Sequence, residues 1–398
     1  MSINNFQNRS CPLCGKHEKL NILDLHYSLF DDNPLSGNFS LVACRDCGFA
    51  YADTPSKEPD FEAYYAQNAY YFTAATTGSG GNSPSDKKRF SETADCIASH
   101  IESKTAAIFD IGSGKGGLVA TLKEMGFSKV FAIDPLQACV DYIEKSLGIP
   151  AECGKASSMG FKNISVDCCI YSHVLEHVLN PKLVLEEAWR RLNDRGLIYV
   201  EVPDAAQYGK NTNVPYAELF VEHINHFDMQ HVISLMNTCG FIERETGGKM
   251  IDIGEGGQTA CLYGVFEKTE KSRALPKYQG ELYDTLRRYA AACEASPMHA
   301  AIRKTQKNAQ PLYIWGMSQF GQLLLGQTPL GACNIKAFVD GDSHKQTKTI
   351  GKRAIVSLEI LRNATSNDAI ILTGVNYQKQ MRDFLKQIDF KGLEIVLV

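Results

Sequence analysis

Two groups of residues in this chain have the types and spacing that chemistry requires. The first is four cysteines in two pairs, Cys11-Pro12-Leu13-Cys14 and Cys44-Arg45-Asp46-Cys47, each pair followed by a glycine, Gly15 or Gly48. Cysteines three positions apart let one tight turn present two thiolates to a metal, and two such turns make a closed tetrahedral zinc site. The gap between the pairs is wider than the usual two-knuckle spacing, and four buried free thiols are the bland alternative. With four thiolates no position is left for water, so Cys11, Cys14, Cys44 and Cys47 predict a structural zinc and not a catalytic one. His17 and His26 lie nearby and are read as surface residues.

The second group is a glycine-rich turn after an apolar run, Phe109-Asp110-Ile111-Gly112-Ser113-Gly114-Lys115-Gly116-Gly117, with Ala132-Ile133-Asp134 further on. Glycines let the backbone pass close to a cofactor, and an acid at the next strand end can hold two ribose hydroxyls. This spacing also fits a dinucleotide. Asp110 discriminates, because a carboxylate at the lip of the turn repels a pyrophosphate but suits the ammonium group of S-adenosylmethionine. The expected donor-binding residues are Asp110, Gly112, Ser113, Gly114 and Asp134. His173, at the end of a third apolar run, is expected to border the same cofactor. His173 and His177 could instead share a helix face as metal ligands, but the order His-Glu-x-x-His is absent.

These residues need elements to hold them. Short β-rich runs alternate with helical stretches beyond Lys87, which predicts a parallel sheet wrapped by helices. The strands are Ala107 to Ile111, Val130 to Ile133, Val166 to Tyr171 and Leu197 to Val202. Leu118, Leu122 and Met125 recur at helical spacing, and Asn180-Pro181 caps a helix running to Leu192. Asn193-Asp194-Arg195-Gly196 is then a turn. Phe61 to Phe72 is rich in tyrosine, Thr76 to Ser85 reads as a mobile loop or linker, and its Gly78 to Gly81 loop is a candidate lid over the site. A charged stretch broken by Pro276 precedes a long helix from Glu281. A third α/β module follows: strand Leu312 to Trp315, loop Gly316-Met317-Ser318-Gln319-Phe320-Gly321, and strand Ile335 to Val339 ending in Asp340. Ala369 to Thr373 and Glu394 to Val398 add strands. The loop lacks the full dinucleotide fingerprint, leaving a nucleotide-sugar platform and a purely structural module equally open. The expected domains are 1–85, 86–268 and 269–398.

Composition bounds the function. With 398 residues, 44% of them hydrophobic, the chain can build several domains with real cores. A net charge of -4 gives no electrostatic reason to expect a nucleic acid or an acidic membrane as partner. No charged lead precedes an apolar stretch at the N-terminus, and no apolar run is long enough to span a bilayer, so a cytoplasmic protein is expected. Thirteen cysteines without an export signal favour thiols and metal ligation over disulfides.

Taken in order, the cysteine knuckles, the Asp110 glycine loop, Val174-Leu175-Glu176-His177, Glu222-His223, Gly256-Gly257 and the third module with Gly316, Gly321 and Val339-Asp340 resemble the deoxysugar C-methyltransferase family. The resemblance covers nearly the whole chain, and the order is more specific than any single piece. It implies a small N-terminal zinc-binding domain and a class I methyltransferase-type doubly wound α/β sheet. It also implies a C-terminal Rossmann-like α/β domain, with a nucleotide-linked sugar lodged between the last two. Within Phe220-Val221-Glu222-His223-Ile224-Asn225-His226-Phe227 it implies a catalytic base, His223, with Glu222 beside it. Tyr71 resembles a further active-site tyrosine. The sequence departs from the family pattern at Phe220, where a tyrosine is usual, and at Glu255, where a histidine is usual. The reaction implied is removal of a proton next to a ketone, after which the enolate carbon takes the sulfonium methyl. Imidazole titrates near neutrality and suits the base, and a tyrosine hydroxyl suits the enolate oxygen. Competing readings are a zinc-knuckled RNA methyltransferase and a non-catalytic zinc and nucleotide-binding module. Oligomeric state is open, with a monomer as one expectation.

Overall fold

The computed structural model describes residues 9–67, 83–210, 214–254, 257–270 and 281–397. Tyr71, Glu255 and the glycine-rich stretch from Gly78 to Gly81 lie outside the described residues.

The N-terminal strands β1 (Lys19–His26), β2 (Asn38–Cys44) and β3 (Ala50–Asp53) form an antiparallel sheet. α1 (Glu58–Gln67) and α2 (Pro84–Ser99) follow, the latter opened by a capping box between Ser83 and Asp86. The middle sheet begins with β4 (Ala107–Ile111), α3 (Gly117–Glu124), β5 (Lys129–Asp134), α4 (Gln137–Tyr142) and β6 (Ala151–Cys153). It continues with β7 (Val166–Ser172), α5 (Pro181–Arg191) and β8 (Leu192–Pro203). A two-residue strand, β9 (Asn225–His226), leaves this module and pairs antiparallel with β3. α6 (Met229–Thr238) leads into the long hairpin β10 (Phe241–Gly254) and β11 (Gly257–Lys268).

The middle sheet has the order β10-β11-β8-β7-β4-β5-β6. β6, β5, β4, β7 and β8 run parallel, and β11 is antiparallel to both neighbours. This is the doubly wound mixed sheet of the class I methyltransferase type. The order reverses beside β4, so the carboxyl ends of β4 and β5 open onto a crevice where such sheets bind ligands. One expectation differs in detail. The turn at Asn193 to Gly196 is absorbed as a bulge: pairing jumps from Val166↔Leu192 to Cys168↔Leu197, with Arg195 at φ 61.

α7 (Glu281–Glu294) and α8 (Pro297–Asn308) precede the C-terminal sheet. Its elements are β12 (Leu312–Trp315), α9 (Gln319–Gln327), β13 (Ile335–Val339), β14 (Thr349–Ile350), β15 (Arg353–Val356), β16 (Ala369–Leu372), α10 (Gln378–Gln387) and β17 (Leu393–Ile395). The order is β14-β15-β13-β12-β16-β17, parallel except for β14.

Alternation along β2 and β3 explains how the N-terminal sheet is held. Successive side chains of a strand point to opposite faces. Leu41, Ala43, Ala50 and Ala52 join one core with Leu286, Leu323, Leu324 and Ile314 of the C-terminal half. Val42, Cys44, Phe49 and Tyr51 join another with Phe109, Ile111 and Phe227 of the middle module. Both faces are covered, which is why all four residues of β3 are buried.

Candidate active site and metal centre

The glycine turn between β4 and α3 has the backbone that glycine permits. Gly112 sits at φ 75, and a Cβ there would come within 2.6 Å of Val174 Cγ2. The turn is pinned to β5: the Gly112 N–H donates to the Ile133 carbonyl (2.7 Å) and the Gly114 N–H donates to Asp134 Oδ2 (2.8 Å). Asp134 Oδ1 accepts from the Leu136 N–H (2.9 Å), so both its oxygens carry backbone donors. Asp110, at the end of β4, is 3% exposed. Burial, with a smaller contribution from the Asp134 charge, pushes its carboxyl up to about 8 against the opposing pull of Arg89. Burial raises Asp134 to about 6. A buried carboxyl held this high gains from receiving a further cation. Ser113 is buried on the same turn.

His173 directly follows β7 and holds φ 56. Its ring is gripped by two buried carboxylates, with Nδ1 3.1 Å from Glu176 Oε1 and Nε2 3.0 Å from Glu201 Oε1. Burial opposes its charge, yet nearby Cys261 and these two bonds hold its pKa well above the usual imidazole range. Glu201 also meets Lys249 Nζ at 2.5 Å and accepts from the Tyr199 hydroxyl at 2.6 Å. His173 is therefore a cation held between two buried carboxylates directly after β7, and among the described residues it shares no metal cluster with His177.

Glu222 and His223 lie on the turn that leads into β9. The His223 N–H donates to the Phe220 carbonyl (3.2 Å). The His223 ring meets His177 edge-on at 4.7 Å and Phe220 at 4.7 Å with a 51° tilt. Burial, and next the neighbouring His177, His226 and His173, hold its pKa well below the usual imidazole value. It is thus neutral at physiological pH, the state a base requires. His226 is buried, hydrogen-bonded to the Tyr208 hydroxyl (3.1 Å), and part of β9.

Glu222 is positioned from outside the middle module. Gln319, the first residue of α9, donates from Nε2 to Glu222 Oε2 at 2.5 Å and accepts from the Val221 N–H at 2.9 Å through Oε1. Its Nε2 also lies 3.4 Å from the Tyr64 hydroxyl of α1. Three regions of the sequence therefore meet at Glu222. In the sequence Gln319 is one residue of a loop, and nothing local to it signals a partner far away in the chain. Tyr64 and Tyr65 fell within the tyrosine-rich stretch, the one available signal.

The four cysteines converge. Cys11 Sγ lies 3.5 Å from Cys47 Sγ and Cys14 Sγ lies 3.4 Å from Cys44 Sγ, with all four sulfurs within 4.8 Å of one another. Zinc–sulfur bonds of about 2.3 Å make tetrahedral edges near 3.8 Å, so this donor set fits the ion. Both turns are built alike: the Gly15 N–H donates to the Cys11 carbonyl (2.8 Å) and the Gly48 N–H to the Cys44 carbonyl (2.9 Å), with φ near 75° at each glycine. His26 bonds to Asn38 (2.8 Å) and belongs to no metal cluster among the described residues. His231 of α6, not singled out in the sequence, spans Asp228 Oδ1 (2.7 Å) and the Cys47 carbonyl (2.8 Å), tying the second knuckle to the middle module. Arg9 does the same for the first: its guanidinium donates to the carbonyls of Ile224 (3.1 Å) and Leu179 (2.5 Å) and to Asn225 Oδ1 (3.0 Å).

Residues 109–200 match the family model described as a methyltransferase domain. No curated protein matches the chain. Among solved structures, an S-adenosylmethionine-dependent methyltransferase of Methanosarcina mazei is 18% identical, covering 44% of this chain and 97% of its own, with a TM-score of 0.38. The 1,6-didemethyltoxoflavin-N1-methyltransferase of Burkholderia thailandensis is 14% identical (56% and 95% covered, TM-score 0.39). The N-methyltransferase NodS of Bradyrhizobium japonicum is 12% identical (52% and 98% covered, TM-score 0.41). Among the described residues no helix is long and apolar enough to cross a membrane. The matched segment runs from β4 through the glycine turn to β8, and this protein carries there a methyltransferase domain.

Proposed function

We propose that this protein transfers the methyl group to carbon on a nucleotide-linked keto-deoxysugar. The observation that carries the reading is His223: a neutral, half-buried imidazole held between His177 and Phe220, with Glu222 as its sequence neighbour, at the junction of the three regions. Carbon next to a ketone becomes a nucleophile only after a base takes its proton, whereas a neutral amine already presents its lone pair. S-adenosylmethionine supplies an electrophilic methyl; Asp110 would take its ammonium group and Asp134 its ribose, with Gly112, Ser113 and Gly114 lining the approach. His223 removes the proton next to the ketone. The enolate carbon forms the new C–C bond as the S–CH3 bond breaks, and the imidazolium releases its proton to solvent. Tyr71 is retained as a proposed donor to the enolate oxygen.

Cys11, Cys14, Cys44 and Cys47 would hold a structural zinc, the N-terminal region (1–85) serving as a metal-stapled wedge. The middle region (86–268) would carry the donor and the C-terminal region (269–398) would help hold the sugar nucleotide. The test is the full-length, zinc-loaded protein with labelled donor and a panel of nucleoside-diphosphate keto-deoxyhexoses. A carbon-methylated product is expected, with His223→Ala losing about 100- to 10,000-fold in turnover while binding the donor normally. Transfer to oxygen or nitrogen would refute the enolate step.

A further inference from the structure

Among the described residues, two buried polar atoms near His177 have no hydrogen-bond partner: the Tyr65 hydroxyl and Glu176 Oε2. Glu176 is 1% exposed, and its other oxygen, Oε1, is taken by His173 and lies 3.9 Å from His177 Nε2. Glu176, His177 and His223 each place a polar atom within 4.8 Å of the others. Tyr65 projects from α1 and meets His177 edge-on at 6.1 Å. Burial, and next the charges of Glu222 and Glu176, keep its phenol protonated. One orphan is therefore a donor and the other an acceptor only. A buried polar group left unmade costs about 1–3 kcal/mol, and such groups in a folded protein call for a partner.

We propose that Tyr65 and Glu176 form a hydroxyl-binding subsite next to the reacting carbon. The phenol donates to the oxygen of one substrate hydroxyl, and that hydroxyl donates in turn to Glu176 Oε2. A hydroxyl is the group that answers both atoms at once. A carbonyl has no proton for Glu176, and an ammonium leaves the Tyr65 proton unpaired. The ligand class is a polyhydroxylated small molecule; the inference rests on the keto-sugar reading above and adds which kind of group on the ring is read.

The test uses the full-length, zinc-loaded protein with Tyr65→Phe and, separately, Glu176→Gln. Ligand-free Tyr65→Phe is expected to keep or gain melting temperature, because it deletes an unpaired hydroxyl; a hydroxyl with a structural role would lower it. With a nucleoside-diphosphate keto-deoxyhexose, both variants are expected to raise KM about tenfold with kcat within about twofold. Against analogues lacking one ring hydroxyl each, one analogue should show no difference between wild type and either variant. Equal KM increases for every analogue would overturn the subsite, since an ordered water would then suffice to fill it. So would weaker donor affinity by calorimetry, which would assign the two atoms to the methyl donor. Wild type that methylates no keto-sugar removes the proposed function and this ligand together; active wild type with indifferent variants removes the subsite alone.

Discussion

The middle and C-terminal modules contain the same device used in two ways. Each runs strand, glycine turn, helix, strand and acid, and in each the acid reaches back to the turn. The Gly114 N–H donates to Asp134 Oδ2 at 2.8 Å, and the Met317 N–H donates to Asp340 Oδ2 at 2.8 Å. The difference lies two residues before the first glycine. Asp110 stands before Gly112, whereas buried Ile314 stands at the equivalent place before Gly316. Both turns are tightly packed by their surroundings: in the C-terminal one a Cβ at Gly316 would come 2.9 Å from the Gly374 nitrogen, and one at Gly321 2.6 Å from the Gly316 carbonyl. Thr373 donates to that same carbonyl, and Lys345 Nζ lies 3.3 Å from Asp340. The backbone motif is thus a scaffold, and what it serves depends on the side chains set around it. At the lip of the middle turn stands the buried carboxyl of Asp110. Beyond the C-terminal turn stands Gln319, which donates to Glu222.

The sharpest break of this comparison is Asp110→Ala set against Asp340→Ala. Loss of a charge-assisted contact predicts donor binding weaker by about 100-fold for Asp110→Ala in titration calorimetry. Asp340→Ala should leave it unchanged, its cost appearing only as a lower melting temperature. Equal losses in both would mean that the acids merely brace their turns.

Next in size is Gln319→Glu, which sets a second carboxylate against Glu222. Two such groups share a proton, so their joint titration moves upward. Near pH 6 the protonated pair can still bridge as the amide does, and His223 remains neutral there because its pKa is held well below the usual value. At pH 8 both carboxylates are charged and repel. Turnover near wild type at pH 6 and about tenfold lower at pH 8 is expected, with Gln319→Ala low at both. A flat pH profile for Gln319→Glu would detach the C-terminal module from the proposed base at Glu222-His223.

Strands such as Ala107–Ile111, Leu312–Trp315 and Ile335–Val339 were legible in the sequence because buried parallel strands are continuous apolar runs bounded by turn residues. The cysteine quartet and the glycine turn were legible because their geometry is local, fixed within a few residues. What escaped was set by long-range contact. β9 is two residues long and is a strand only because β3 lies beside it, and β3 itself is short and buried on both faces, so it shows no alternation. The roles of Gln319, His231 and Arg9 depend on partners in other regions. Tyr64 and Tyr65 are adjacent tyrosines on one short helix, and only the fold tells which one meets Gln319 and which one is left with an unpaired hydroxyl.

The smallest expected effect separates the two turns by charge alone. Burial pushes the Asp110 carboxyl up to about 8 even with Arg89 nearby, and a bound ammonium would hold it ionised, so binding of the donor must expel a proton wherever the free carboxyl is protonated. Affinity should therefore rise with pH, by at most about tenfold per unit, and level off above pH 8. Asp134, near 6, adds to the slope only at the acid end. Calorimetry in buffers of different ionisation enthalpy should show about one proton released per donor bound at pH 7, and none in Asp110→Asn. If the proton count in that variant matches wild type, the group that titrates is not at the lip of the first turn, and the contrast between Asp110 and Ile314 loses its meaning.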